Sequence, residues 1–593
     1  MSNIYDKSSL VLIPSGTKTG KVYSQKPVSG DGDFTFTRSS AATRVNADGF
    51  IEKETQNLFS GSGDLANTLY WPHSNIQSAT GGQAGYDGTS NAVKIVESTG
   101  TGQHIIQQSA LSPNVVQTIS IYAKASGRDW LLINQSGVYK VFYNLSTGSL
   151  GNVDSNVIDA TITSVGGDWY RCTYTANITY TGARIGMAQS NGTDSYTGDG
   201  VSGILIQDAQ LEQGLVARDY IETTSPVEGG ITDNVPRLDY TDSSCPALLL
   251  EPQRTNLFTN SEYTGGYGNF GSTDTPNNAS SPEGVQNAVL VEGDGTQPQV
   301  FFNTPNVTLS SAGSYTISAF AKKGTSNYMQ ISLDGFTGAG NGAGYFDLEN
   351  GTTPTSGASI EDYGNDWYRC ILVVTIDAGD LFGRIAIRVT PSTSGFLWSS
   401  SSEANGKNIY MYGFQMEAGS YETSYIPTYG SSVTRVADVD CETANPNTSL
   451  FGQTEGTIFC EYTPVSDDTT NQSRFIRLRN SSNSNQIYMQ HNALNNINAV
   501  VFNGSNQFVG QTSTGYASVG NTYKFALAYK DGDYAFYANG VQIDTGTATG
   551  LGTLAVDRLD LDNVNISKSS KVNQALVFKT RLSNEELAAL TTI

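Results

Sequence analysis

The stretch DWYRC at Asp168–Cys172 decides the fold, because it stands again at Asp366–Cys370, about 200 residues further along the chain. Successive side chains of a strand point to opposite faces, so Trp and Arg share one face and Tyr and Cys share the other. Both copies continue into aromatic and β-branched residues, TYTANI and ILVVTI. We therefore predict the same half-buried strand twice.

Matching short sequence motifs on both sides of this strand indicate that a whole module is duplicated. The motifs are NLF (57–59, 256–258), NAV (91–93, 287–289), TIS (118–120, 316–318) and QLEQG (210–214), which returns as QMEAG (415–419). The order is kept and only the loops change length. We define repeat 1 as 53–225 and repeat 2 as 252–428, and predict that they superpose, with Trp169 and Trp367 in equivalent buried core sites.

The rest of the chain consists of a C-terminal module and segments between modules. The C-terminal module spans 454–593, and the other segments span 1–52, 226–251 and 429–453. Related wording occurs in these segments: FTFTRSSAATRV (34–45), ITDNVPRLDY (231–240) and SSVTRVADV (431–439). We interpret them as connectors that clamp neighbouring modules together; simple extended linkers are the alternative.

Alternating apolar and polar runs without helical periodicity predict an all-β protein of tandem antiparallel β-sandwiches. Hairpin turns are predicted at Asp531-Gly532 and Asn539-Gly540. One helix is predicted near the C-terminus, where Ser583 and Glu586 have capping-box spacing before an apolar run.

Composition excludes several classes of function. The formal net charge is −22, which argues against a nucleic-acid partner, because phosphate binding needs clustered Lys and Arg. No apolar run approaches the length of a membrane helix, and we expect neither membrane insertion nor a signal peptide. The 5 cysteines are an odd number without metal-site spacing. We predict free thiols in a protein made in a reducing cytoplasm.

Two kinds of wording resemble known families. EGTIFCEY (455–462), YKFALAYKDGDYAFYANGVQID (523–544) and ALVFKTRLSNEELAALT (575–591) resemble concanavalin A-like, laminin-G-type sandwiches. The two repeats resemble carbohydrate-binding-module-like jelly rolls. The combination of these modules with the segments IPSGTKTGKVYS (13–24) and PALLLEPQRTNLF (246–258) resembles a tailed-bacteriophage virion protein. Such a protein would be a tail fibre, a spike or a head decoration protein.

The resemblance implies a virion protein that adheres to glycans of the host surface. A structural virion component without a glycan ligand is the first alternative, and a polysaccharide depolymerase is the second. The resemblance also implies a homotrimer bound to other virion proteins through residues 1–52. The C-terminal module would then point outward and meet the host polysaccharide.

No catalytic motif is present in the sequence, and we predict that the protein is not an enzyme. Glycoside hydrolases need two carboxylates at a defined separation, and the strand motif that supplies them in concanavalin-like enzymes is absent. No motif for a cofactor is present. Calcium is a candidate ligand, because relatives of the C-terminal module often need it, and the local acids are Asp467, Asp468, Asp560 and Asp562.

Exposed aromatic rings and polar loops are the candidate sugar contacts, because rings stack on pyranose faces and amides pair with hydroxyls. The aromatic candidates lie in turn-rich segments: Trp71, Trp398, Tyr263 and Tyr267. The polar candidates lie in loops of the C-terminal module: Asp467, Asp468, Gln472 and Asn480. For the aromatic residues, packing onto their own sandwich is the competing interpretation.

Overall fold

The fold is almost entirely β. The computed structural model describes residues 2–110, 112–177, 179–336, 342–466, 472–561 and 568–592, and half of the chain lies in strands. The prediction of tandem antiparallel sandwiches is confirmed. Among the helices in the described part of the chain, none is long and apolar enough to cross a bilayer.

Repeat 1 is a sandwich of two six-stranded sheets. The first sheet has the order Val157–Gly166, Trp169–Asn177, Val116–Ser126, Gly203–Gln213, Ala92–Glu97, Ile76–Gln83. The second has the order Ser149–Val153, Val138–Asn144, Trp130–Gln135, Ala183–Ala188, His104–Gln108, His73–Ser74. Alternate apolar side chains from both sheets fill the space between them, for example Ile119 and Cys172 from the first sheet and Ile133 from the second.

Repeat 2 has the same architecture, as the duplicated wording predicted. Its first sheet has the order Ala358–Asp362, Trp367–Ile376, Gly313–Lys323, Asn408–Ala418, Ala288–Gly293, Ser272–Ala279. Its second has the order Ala343–Asp347, Tyr328–Asp334, Phe382–Thr390, Val300–Asn303, Gly268–Phe270, with Val307–Thr308 also paired to Phe382–Thr390.

The C-terminal module is a third sandwich that includes strands from elsewhere in the chain. Its larger sheet has the order Arg237–Asp239, Ala247–Leu250, Ser570–Phe578, Glu455–Pro464, Tyr523–Lys530, Tyr534–Ala538, Val541–Gly546, and Ser8–Leu12 also pairs with Ser570–Phe578. Its smaller sheet has the order Asn506–Gln511, Ile497–Asn503, Asn485–His491, Ser473–Arg479, Arg558–Asp560.

Short ribbons and helices complete the fold. The ribbons are Thr17–Lys18 with Lys21–Val22 and Phe34–Thr35, Arg44–Val45 with Ile51–Glu52, Thr55–Asn57 with Val227–Gly229, Arg254–Asn256 with Val433–Arg435, and Thr101–Gly102 with Tyr196–Thr197. The helices are Ser2–Lys7, Ser401–Ala404, Asn584–Thr591 and the short 3-10 turn Thr448–Leu450. The predicted capping box at Ser583 is confirmed.

The expectation that the C-terminal module lies far from the N-terminal leader is wrong. Ser8 pairs with Phe578 and Leu12 with Ala575 in one antiparallel ladder. Apolar side chains from the leader lie in the same core as the C-terminal module: Leu10, Leu12, Val22, Phe34 and Phe36. The leader is thus part of this sandwich, because its apolar residues complete the sandwich core.

The two tryptophans of the DWYRC words occupy equivalent buried sites, as predicted, but these sites are not in the sandwich cores. Cys172 and Cys370 face the cores. Trp169 and Trp367 point away from the cores, to the outer faces of their sheets, where each joins a small separate apolar cluster. The strand alternation explains this, because Trp and Cys of the word are three positions apart.

The three connectors meet in one buried ionic cluster. Each supplies a fully buried arginine from its related wording: Arg38, Arg237 and Arg435. Asp438 pairs with Arg38 at 3.0 Å and with Arg237, and Glu251 pairs with Arg237 and with Arg435 at 2.7 Å. The connectors are therefore fixed to one another, which is the behaviour of clamps.

Opposite charges hold this cluster in its ionised form. Burial opposes the ionisation of Glu251, but the charges of Arg435 and Arg237 outweigh it and keep the carboxyl pKa well below its usual range. Burial also opposes the charge of Arg237, yet Asp438 and Glu251 raise its pKa. Burial lowers the pKa of Arg38 to about 10.

No disulfide joins any of the five cysteines, all of which lie within the described residues. Cys172, Cys370, Cys441 and Cys460 are buried, and Cys245 is exposed. Burial raises the pKa of Cys172, Cys370 and Cys460 above the ordinary thiol value, so these thiols are poor nucleophiles.

Candidate glycan-binding groove of repeat 1

An open groove of about 820 Å³ lies on the outer face of the first sheet of repeat 1. Its floor includes Tyr122, on the strand face that points away from the sandwich core, and three loops around 61–70, 81–91 and 219–224 form its walls. This volume is in the range of sites that enclose small ligands. Polar groups and tyrosines dominate the lining.

A tyrosine pair forms one wall of the groove. Tyr86 lies on Tyr122 with ring centroids 3.7 Å apart and planes 6° from parallel, and its edge faces Trp169 at 6.4 Å. The three rings hold each other in place. Tyr86 is only half-buried, so it presents part of a rigid ring to the groove, which is the kind of surface on which a pyranose stacks.

Asp208 stands at a β-bulge in the groove floor. The register between Val116–Ser126 and Gly203–Gln213 shifts there, and Asp208 has a φ of 54°. The matching residue of repeat 2 is Gly413, with a φ of 63°, where an added Cβ would lie 2.8 Å from the Phe320 ring. Repeat 1 thus keeps a carboxylate in a backbone conformation that favours glycine, and such strain is typical of functional positions.

Burial raises the pKa of Asp208 to about 6. The hydroxyl of Tyr86 donates to Asp208 Oδ2 at 3.0 Å, which opposes the shift, while the nearby charges of Asp87 and Glu222 add to it. Asp208 is therefore a strained carboxylate that is mostly charged at pH 7 and becomes protonated as the pH falls through about 6.

We predict that Asp208→Asn stabilises the protein at pH 8 but not at pH 4. A carboxyl whose pKa rises on folding contributes stability that is complete below its unfolded value of 3.8 and is lost as pH rises through about 6. The amide carries no charge, so its advantage at pH 8 should be about 1–2 kcal/mol. Urea unfolding at both pH values measures this. A variant that is less stable at pH 8 would contradict the burial of an unfavourable charge.

The remaining walls are fixed by close contacts within the loops. A Cβ on Gly61 would lie 2.3 Å from the Tyr70 ring, so glycine is required for Tyr70 to line the groove. The hydroxyl of Tyr220 is 2.7 Å from the hydroxyl of Ser62. Exposed amide and hydroxyl side chains near these rings are suitable partners for sugar hydroxyls: Ser90, Asn91 and Thr224.

Two of the predicted aromatic contacts are core residues. Trp71 is fully buried, its Nε1 donates to the Gly61 carbonyl at 3.0 Å, and its ring packs edge-on against Phe59. Trp398 is also buried, and its Nε1 donates to the Val389 carbonyl at 3.4 Å. Neither ring can stack on a sugar, because its faces are covered by its own sandwich.

The two predicted tyrosines of the glycine-rich loop have different environments. Tyr267 is buried against Phe302 and Phe414, so its assignment as a sugar contact is wrong. Tyr263 is half-buried and lines a polar cavity of about 430 Å³ between the two repeats, together with Tyr139. Of the four aromatic candidates, Tyr263 alone is not buried.

The two polar candidates of the C-terminal module that the structure describes lie far apart. Asp467 and Asp468 lie outside the described residues. Gln472 and Asn480 flank opposite ends of the strand Ser473–Arg479, which places them roughly 25 Å apart. Asn480 holds its own turn, since its Nδ2 donates to Ser484 Oγ at 2.9 Å. A role for either residue in sugar binding stays a prediction.

Of the calcium candidates, Asp560 is already paired with two arginines. Asp560 is buried and accepts hydrogen bonds from Arg477 at 2.9 Å and Arg479 at 2.7 Å, while Asp562 lies outside the described residues. Within the described ranges, no group of three or more His, Cys, Asp or Glu side chains is arranged to hold a metal ion.

The groove residues were missed because each is an ordinary loop or strand residue when taken alone. The available signal was the contrast between the aligned repeats: Asp208 replaces Gly413, and Tyr86 replaces Pro282 in turns of equal length. Such differences at matching positions mark where one repeat has acquired a surface that the other lacks.

Comparisons with known proteins give only distant structural similarity. No family model and no curated protein matches the chain. Parts of the chain are similar to solved structures, of which three serve as examples. The sialidase CBM40 of Ruminococcus gnavus bound to α2,3 sialyllactose is 15% identical, covering 25% of this chain and 92% of its own, with a TM-score of 0.22. The tandem CBM22 domains of Paenibacillus barcinonensis Xyn10C are 12% identical, covering 61% and 98%, with a TM-score of 0.20. The SAP-like pentraxin of Limulus polyphemus is 16% identical, covering 23% and 69%, with a TM-score of 0.19. At these TM-scores the similarities carry no argument about function.

Proposed function

We propose that this chain is a non-catalytic glycan-binding protein whose ligand occupies the groove of repeat 1. The observation that carries the proposal is the combination of an open cavity of about 820 Å³, a rigid tyrosine wall and a ring of polar side chains. Tyrosine faces and hydrogen-bonding groups are the two components that recognise sugars.

A glycan array probed with the full chain and matched variants tests this proposal. Asp208→Asn should weaken binding roughly tenfold or more, because hydrogen bonds to a charged group contribute about 1.5–3 kcal/mol. Asn480→Ala, in the C-terminal turn, should bind like the wild type. Because we expect Asp208→Asn to remain folded, its loss of binding would report on the groove.

Each other outcome of the array selects a different function. Loss of binding in Asn480→Ala with full binding in Asp208→Asn would move the site to the C-terminal module. Binding to no glycan would favour a purely structural component. Release of reducing ends from a bound polysaccharide would make the protein a depolymerase, with Asp208 as the first candidate for its general acid.

Placement in a tailed-phage virion, with other virion proteins as partners and a homotrimer as the assembly, is part of the same proposal. The support for this placement is that the sequence segments between the modules resemble those of tailed-phage virion proteins. The leader is built into the C-terminal sandwich, so attachment would use the surface of that sandwich rather than a separate arm. Light scattering on the full chain tests the trimer, and a monomer mass would contradict it.

A further inference from the structure

Repeat 2 contains the same groove position as repeat 1. The turn 280–287 matches the turn 84–91, because each contains the same backbone hydrogen bond. Ser281 N donates to the Val285 carbonyl in repeat 2, and Gly85 N donates to the Thr89 carbonyl in repeat 1. Tyr425 matches Tyr220, and each phenol hydroxyl lies next to a serine hydroxyl, at 2.6 and 2.7 Å. The two grooves can therefore be compared residue by residue.

In repeat 2 this position encloses a cation supplied by the chain itself. The Nζ of Lys53 lies 2.5 Å from Glu262 Oε1 and 2.6 Å from Glu283 Oε1. It also donates to the hydroxyl of Tyr429 at 2.6 Å. The Lys53 side chain is only 4% exposed. Two carboxylates and a phenol hydroxyl thus surround the ammonium group, and Glu283 also pairs with the guanidinium of Arg218.

Repeat 1 has one of the two carboxylates at the matching position and a second carboxylate that comes from a different loop. Asp87 stands at the position of Glu283 in the matched turn. Gly63 stands at the position of Glu262, and Glu222 Oε1 lies 3.6 Å from the point that a Cβ on Gly63 would occupy. Glu222 therefore reaches from another loop into the region where repeat 2 has Glu262.

No cation of repeat 1 neutralises these acids from within the groove. The groove-lining residues that the structure describes include five carboxylates but neither lysine, arginine nor histidine. The carboxylates are Asp64, Asp87, Asp208, Asp219 and Glu222. In this setting a positively charged ligand is favoured, and an anionic sugar is repelled.

In repeat 2 the chain's own segment around Ile51 and Lys53 occupies the groove position. The shape of the groove in repeat 1 favours a sugar over a peptide segment of this kind. There, Ile51 packs against Phe320 and Trp367 beside the lysine site. In repeat 1 the matching aromatic residues are covered by the ring of Tyr86. The apolar anchor site of a peptide is thus filled, while the hydroxyl-lined part of the groove is open.

We propose that the groove of repeat 1 selects glycans that carry a free ammonium group, as on a hexosamine without its N-acetyl group. The ammonium would lie between Asp87 and Glu222, close to the hydroxyl of Tyr220, and the sugar ring would face Tyr86. This inference rests on the proposed glycan-binding function and specifies its ligand class.

Calorimetric titration of the full chain with two oligosaccharides of equal length tests the inference. One is a linear glucosamine hexamer with free amines, and the other is the same hexamer fully N-acetylated. The amine form should bind roughly tenfold or more tightly, because charge-assisted hydrogen bonds replace neutral ones. Glu222→Gln and Asp87→Asn should each reduce this preference towards unity. Asp168→Asn, an exposed acid outside the groove, should keep it.

Three results would overturn the inference, and they separate it from the proposed function. Equal binding of both hexamers, lost in Asp208→Asn, would keep the sugar site but remove the ammonium preference. Binding of neither hexamer, together with binding of a neutral or acidic array glycan in the groove, would assign another sugar class. Binding of a synthetic peptide of residues 49–53 in place of any glycan would make the groove a peptide site and overturn both proposals.

Discussion

Deleting residues 2–36 should unfold the C-terminal module. The deletion removes a strand that pairs with Ser570–Phe578 and five side chains from the shared core. At about 1.5–3 kcal/mol for each buried apolar side chain, the loss is on the order of 10 kcal/mol, as large as the whole stability of a typical domain. Calorimetry and limited proteolysis of the deletion variant measure this.

A single substitution with a matched control makes the same test without a deletion. Phe34→Ala should lower the free energy of unfolding by about 3–5 kcal/mol, because Phe34 is fully buried in that core. Val28 lies in the same segment but is 96% exposed, and Val28→Ala should change stability by less than about 0.5 kcal/mol. Equal effects of the two substitutions would show that the leader is a detached arm.

Replacing Arg237 with methionine should destabilise the assembly of modules by about 3–5 kcal/mol. Arg237 is fully buried and links Asp438 of one connector to Glu251 of another. Methionine fills much of the same volume but leaves two carboxylates with less positive charge beside them. The midpoint of urea unfolding should fall accordingly.

An exposed ion pair supplies the control for this prediction. Arg384 lies 2.8 Å from Asp334, and both side chains are substantially exposed. Arg384→Met should cost less than about 1 kcal/mol, because solvent screens such pairs. If Arg237→Met were as mild as Arg384→Met, the connectors would be independent linkers rather than a common clamp.

The duplicated sequence motifs predicted the two sandwiches well. The alternation of apolar and polar residues along a strand is a local property, so a repeated sequence repeats the strand. Trp169 and Trp367 were expected in equivalent buried sites and lie there, on outer faces. Which face of a strand meets the other sheet depends on partners far along the chain. The alternation therefore separated Trp from Cys but did not tell which of them points to the core.

Long-range pairing accounts for most of what the sequence left open. The pairing of Ser8–Leu12 with Ser570–Phe578 joins residues at opposite ends of the chain, and no local pattern encodes such a contact. The same holds for the groove, whose walls come from three separate loops around one β-bulge. Trp71 was a plausible sugar platform in a turn-rich segment, yet the fold buries it completely.

Hydrogen exchange of the full chain, with and without its strongest array glycan, tests the central claim most directly. We expect slower exchange in the groove segments 84–91 and 219–224, and no change in the matched turn 280–287 of repeat 2, which Ile51 and Lys53 already cover. Protection confined to the C-terminal turn 480–485, with none in the groove segments, would contradict the assignment of the glycan site to repeat 1.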